Sequence, residues 1–191
     1  MDIKVTAIST ILLALTSAPA FAAENNAGKI HFTGQIVEPS CVIEGDTGTD
    51  STVDLGTWVK STFGTIGAES SLAPFIITLK DCPVTSDGLP MVQLTFNGTT
   101  TETGSDTLLD VSKITTEGTT AATGVGIAVS EEGSDTTLIK MDGTEGQVFI
   151  PLPSTAGTSI TASLNARYKS YAAAVTAGPA DADMTINIVY H

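Results

Sequence analysis

Apolar and polar residues alternate with a period of two along most of this chain, in short runs separated by Gly, Asp, Asn, Ser and Thr. Such runs predict strands, because successive side chains of a strand point to opposite faces. Residues 30–33 and 35–37 open the series. Residues 75–79 make a short, nearly continuous apolar run that ends at Asp81-Cys82-Pro83. Residues 92–96 alternate cleanly and are expected to stop in a turn at Asn97-Gly98. Residues 125–129 and 137–141 flank Glu131-Glu132-Gly133-Ser134, Asp142-Gly143 marks the next turn, and strands are expected over 147–152, 159–171 and 184–190. Helical signals are few. Residues 168–177 are rich in helix-tolerant alanine but lack an apolar stripe, and a short helical turn is expected within 61–72. Many short strands with frequent turn signals predict an all-β sandwich or barrel. No Pro-rich linker divides the chain, and no repeat with a period of about 20–50 residues points to a solenoid or propeller.

Composition narrows the function. The 191 residues carry a net charge of −13, with 41% hydrophobic and 15% charged residues. A chain this acidic repels a phosphate backbone, so no nucleic acid partner is expected. Its hydrophobic content and low charge density argue against a disordered acidic tail. The first residues read as an address. Lys4 supplies a positive start, residues 8–15 are apolar, and Ala20-Phe21-Ala22 fits a small-x-small cleavage site, so residues 1–22 are expected to be a signal peptide. Export changes the reading of the two cysteines, Cys41 and Cys82, because an oxidising compartment favours pairing them. Closing a loop of that size stabilises by roughly 4 kcal/mol on a chain-entropy model. The rival readings are two free thiols or one catalytic thiol. A nucleophilic thiol needs a base, and the only histidines, His31 and His191, lie at the two chain ends.

Enzyme chemistry finds little support. There is no phosphate-binding Gly loop, no zinc spacing and no G-x-S-x-G element. Asp181 and Asp183 could share a strand face as a carboxylate pair, but they lie between Pro179 and the last strand, where a solvated loop explains them. Asp46, Asp50 and Asp54 sit in a Gly/Thr-rich stretch without EF-hand spacing. Asn97-Gly98-Thr99 fits a glycosylation sequon and is read as a hairpin turn. No catalytic residue, metal site or cofactor is expected.

The two ends are less ordinary. In the last strand Met184, Ile186, Ile188 and Tyr190 fall on one face, and the sequence stops one residue later. Sheet edges are normally blunted with charge or proline, and this strand has neither, so something is expected to pair with it. Residues 23–28 are short and polar and lead into Ile30 and Phe32. Glu24, Asn26, Gly28, Ile30 and Phe32 are in phase, and an extended segment of this kind can add a strand to another molecule's sheet edge. If each copy gives one end and accepts the other, the contact is heterologous, and heterologous contacts that do not close make a filament.

On these residues the chain resembles a chaperone–usher pilin, close to the major subunit of type 1 fimbriae. Residues 28–37, reading GKIHFTGQIV before Cys41, are similar to the pilin opening. Asp54-Leu55-Gly56, the FIITLKDC segment ending at Cys82, and Asn165-Ala166-Arg167-Tyr168 resemble later pilin elements. Gly178, fourteenth from the end, and the penultimate Tyr190 match the pilin chaperone-recognition pattern. The resemblance implies an incomplete immunoglobulin-like sandwich that lacks its last strand and is completed by a donor strand from another subunit. It implies a donor extension over 23–33, with Asn26, Gly28, Ile30 and Phe32 in phase, and a pilin domain over 34–191. Gly178, Met184, Ile186, Ile188 and Tyr190 would form the acceptor groove and chaperone-recognition side, and Cys41 and Cys82 the disulfide. Glu24 and Asn26 depart from the pattern, since family donor strands usually alternate apolar residues around a glycine. The implied function is a non-enzymatic structural subunit of a bacterial surface fimbria, supporting adhesion. Its implied partners are other copies of itself head to tail, a periplasmic chaperone, an outer-membrane usher and a tip adhesin. The alternatives are a minor adaptor or adhesive subunit and a secreted carbohydrate-binding module.

Overall fold

The computed structural model describes residues 28–190 apart from Gln35, Val37, Pro39 and Asp87. The expected signal peptide and Asn26 lie outside the described residues. The chain divides into a unit ending at Thr33 and a second unit, Gly34–His191. In the first, residues 28–33 form no strand, contrary to the periodicity. Ile30 and Phe32 are 81% and 92% exposed. A period-two pattern marks a segment that can extend, but a strand also needs a partner for its backbone.

The second unit is an open antiparallel β sandwich. Its strands are β1 (Val42–Glu44), β2 (Ala73–Lys80), β3 (Met91–Gly98), β4 (Leu109–Asp110), β5 (Val125–Glu131), β6 (Val148–Pro151), β7 (Ile160–Ser170) and β8 (Met184–Tyr190). One sheet runs β1-β2-β7-β5-β4 and the other β6-β3-β8. A single 3-10 turn at Lys60–Phe63 is the only helical element among the described residues, overlapping the start of the 61–72 stretch where a helical turn was expected. The 168–177 stretch forms no helix, since β7 takes it through Ser170.

The core lies between the sheets. Val92, Leu94 and Phe96 of β3 are fully buried, facing Leu79, Val129 and Leu164 of the larger sheet within one apolar cluster. Burial on both flanks explains β3: β6 pairs along one side and β8 along the other. Cys41 and Cys82 are joined by a disulfide, which ties the start of β1 to the end of β2.

One turn signal and one strand signal prove to be something else. Asn97 and Gly98 close β3 instead of turning it, pairing with Thr185 and Met184. A Cβ on Gly98 would collide with the Leu109 side chain, so the glycine serves close packing and not a reversed backbone. Its N–H donates to the Met141 carbonyl at 3.0 Å. Residues 137–141 form a single isolated bridge, at Leu138, and no strand, although Ile139 and Met141 are buried. Their alternation reflects a loop folded onto the core.

Arg167 shows how the outer face of the larger sheet is covered. In β7 the even positions 162, 164 and 166 face the core, which places Arg167 outward, yet its side chain is only 3% exposed. Its Nε lies 2.8 Å from a Glu69 carboxylate oxygen, Nη1 donates to Ser130 Oγ at 3.1 Å, and Nη2 donates to the Asp135 carbonyl. Lys169 also pairs with Glu69, and Asn165 donates to the Asp135 carboxylate. This polar layer fastens the loops carrying Glu69 and Asp135 over the sheet. Replacing Arg167 by Met should therefore cost about 2 kcal/mol of stability, because Ser130 and the Asp135 carbonyl lose a charged donor. Urea denaturation of the purified protein measures it, and an unchanged midpoint would show that the layer is energetically neutral.

Candidate functional site

Four strands end the two sheets, and three are short or blunted. β1 has three residues, with Glu44 3.7 Å from Lys80; β4 has two; and β6 has four and ends at Pro151. β8 is different. It has seven residues, Met184–Tyr190, none of them charged or proline, and among the described residues only β3 pairs with it, along one side. Its free edge presents backbone N–H and C=O groups that demand partners.

Beside that edge the sandwich is open. A groove of about 1030 Å³ runs between β8 and the larger sheet, with Met184, Ile186 and Ile188 on one wall. Its floor includes Phe75, Ile77, Ile127 and Val129. Ile186 and Ile188 are half-buried, where their partners on β3, Phe96 and Leu94, are fully buried. The sandwich thus lacks cover along β8. A second lobe, about 610 Å³, continues toward the segment that leads into β8, lined by Leu55, Trp58, Phe63, Tyr168 and residues 175–183. Leu55, Ile127, Ala182 and Asp183 border both lobes.

Both ends of the open edge are pinned. At the far end the Cys41 N–H donates to the Tyr190 hydroxyl at 2.9 Å, which fastens the last turn of β8 to the disulfide. At the near end the Tyr168 hydroxyl donates to the Ala180 carbonyl at 3.0 Å. Burial, with the negative charges of Asp181 and Asp54, pushes the Tyr168 phenol up, which keeps that donor protonated. Gly178 lies against the backbone of residues 120–122, and a Cβ there would collide with the Thr120 carbonyl oxygen. The glycine is required by close approach.

Asp181 is the residue that sequence reasoning treated as solvated loop. One carboxylate oxygen accepts the N–H groups of Ile114, Thr115 and Thr116 at 3.0, 2.7 and 2.8 Å, and the other accepts the Thr116 hydroxyl at 2.6 Å. Asp181 and Ser112 also exchange backbone bonds at 3.0 and 2.7 Å. The Thr116 hydroxyl first, then the amides, hold the carboxyl well below the usual carboxylate range. No local signal could have revealed this, because the partners lie more than sixty residues earlier in the chain. Asp46 and Asp54 act closer to home, accepting the Thr52 and Gly56 N–H groups.

Of the residues singled out by sequence, Met184, Ile186 and Ile188 line the larger lobe, Gly178 lines the smaller, and Tyr190 packs beside Cys41. Ile30 and Phe32 stand exposed in the first unit. A group whose folded pKa is depressed stabilises above its unfolded value and loses that contribution as pH falls. Asp181→Ala should therefore melt lower than the parent at pH 7, with the gap closing as pH drops below about 4. Thermal melts across pH test this, and a gap as large at pH 2 as at pH 7 would contradict it. Gly178→Ala should lower stability at every pH, since the clash is steric.

Comparison with known proteins agrees with this geometry. The Fimbrial protein family model matches residues 30–191. Long polar fimbria protein A of Salmonella typhimurium is 36% identical over 93% of this chain and 92% of its own. The type-1 fimbrial protein subunit of Serratia marcescens is 32% identical over 96% of both. Among solved structures, a chaperone–usher pilus subunit matches with a TM-score of 0.58 at 26% identity, over 91% of this chain and all of that one. The P pilus rod subunit PapA matches at 0.61 with 25% identity, over 80% and 99%. An open sandwich with one strand missing and a full-length match to fimbrial subunits have one reading: this chain belongs to the fimbrial protein family, as a structural, non-catalytic pilin subunit.

Proposed function

We propose that the groove beside β8 is the acceptor site of a head-to-tail polymer, filled by the N-terminal segment 23–33 of the next copy, with Ile30 and Phe32 entering the apolar lobe. The protein is a structural fimbrial subunit that forms filaments by donor-strand exchange, exported through the periplasm to the cell surface. The observation that carries the assignment of the groove is the contrast among sheet edges. Among these edges β8 alone is long, uncharged and free of proline, and it borders an open groove of about 1030 Å³.

The energetics suit the assignment. An inserted strand pairs its backbone with β8 and buries two large apolar side chains that are otherwise solvent-exposed. Burial of each contributes about 1.5–3 kcal/mol. Adding the strand antiparallel to β8 would complete the β6-β3-β8 sheet as a sandwich of the immunoglobulin kind. Before assembly the same cleft is an aggregation hazard, which a periplasmic chaperone covers until the usher exchanges it. Gly178 and Tyr190 then act by holding the edge in place for either occupant. The same donor segment fits any groove of this chemistry, that of a tip adhesin included.

A charge in the cleft tests the proposal. Ile188→Asp or Phe32→Asp should abolish the surface polymer while leaving export intact, because a carboxylate cannot be buried unpaired. The readout is the sheared surface fraction run in SDS with and without hot acid. The parent should give a ladder that collapses to one band, and the variants no ladder. Normal ladders from Ile188→Asp would refute the groove.

A further inference from the structure

Loop 112–122 wraps the segment that feeds the acceptor strand, and it does so through contacts of several kinds. Ser112 and Asp181 exchange backbone hydrogen bonds. The Asp181 carboxylate gathers the N–H groups of residues 114, 115 and 116 together with the Thr116 hydroxyl. Gly118 stands where a Cβ would press on the Pro179 ring, the Ala122 N–H donates to the Pro179 carbonyl at 2.8 Å, and Gly178 rests on the backbone of residues 120–122. Pro179 is buried within this wrap. The wrapped segment, 178–183, continues directly into β8, and Ile114, Thr115 and Thr116 themselves line the smaller lobe of the groove.

We infer that Asp181 is a positioning residue for strand exchange: its carboxylate latches loop 112–116 onto the segment before β8, so that the near end of the acceptor groove stands open and shaped before a donor arrives. The inference rests on the acceptor reading of the groove. Its physical basis is preorganisation. A groove whose walls must first be ordered spends part of the binding free energy on that ordering, and association slows when it waits for a conformational change. Charge-assisted hydrogen bonds are about twice as strong as neutral ones. Three amides and a hydroxyl converging on one carboxylate therefore fix the loop more firmly than the Ser112 bridge alone. Asp181 itself need not touch the donor, since it acts through Ile114–Thr116 and through the set of β8.

The test uses the full chain held by its co-expressed chaperone, with a synthetic peptide of residues 23–37 as the incoming donor and native mass spectrometry to follow exchange. Asp181→Ala is compared with Glu69→Gln, which weakens the Arg167 layer on the outer face, away from the groove. Each variant is measured at the same interval below its own melting temperature. Asp181→Ala should exchange at least about tenfold more slowly than Glu69→Gln, with Thr116→Val, which removes only one of the four bonds, between them. If Asp181→Ala does not yield a chaperone complex, Asp181→Asn is read by the same criterion. Equal rates for the Asp181 and Glu69 variants would overturn the latch while leaving the acceptor groove intact. Failure of the parent itself to take the peptide would overturn the acceptor reading and the latch with it.

Discussion

Backbone hydrogen bonding at one sheet edge is the constraint on which the rest of this protein turns. A strand needs partners on both sides or water on one, and an apolar strand beside an open cleft has only water there until another strand arrives. β8 meets that condition: β3 satisfies one side, while its other side faces a groove floored by Phe75, Ile77 and Ile127. The half-burial of Ile186, Ile188 and Tyr190, against the complete burial of Phe96, Leu94 and Val92 beside them, measures what is missing. Assembly by strand donation follows from this shortfall, since the same strand that satisfies the edge also closes the core.

On the proposed reading the β8 edge accepts a strand and has to be held extended while empty, and the structure shows two fastenings there. The disulfide holds Cys41 where its N–H meets the Tyr190 hydroxyl. At the other end Tyr168, Gly178 and Asp181 tie the lead-in segment to β7 and to loop 112–122. The covalent link and the polar contacts thus serve the same end, that of limiting the entropy the edge would otherwise recover when unpaired. Away from the groove the molecule spends its buried charge differently. Arg167, Glu69 and Lys169 bind loops over the outer sheet face, where no partner strand is awaited.

Much of the fold was legible in the chain because its signals are local. Period-two alternation placed β2, β3, β5, β6, β7 and β8 within a few residues of where they stand. The misreadings share a cause. Asn97-Gly98 has the composition of a turn, but Gly98 is there to admit Leu109 from another strand. Residues 137–141 alternate because they lie on the core, without a strand beside them to pair with. Residues 30–33 have the pattern of a strand and form none, since pattern supplies a face and not a partner.

The sequence by itself determined that this is an all-β chain, that its final strand carries an uncharged apolar face, and that its opening segment holds apolar residues in phase. These properties reside in neighbouring residues and survive without long-range contacts. Only the tertiary structure decided which of four sheet edges is left open, how large the cleft beside it is, and that Asp181 gathers amides from a loop more than sixty residues away. Those properties depend on strand order and on which loops cross each sheet face, and strand order is set by the packing of the whole sandwich.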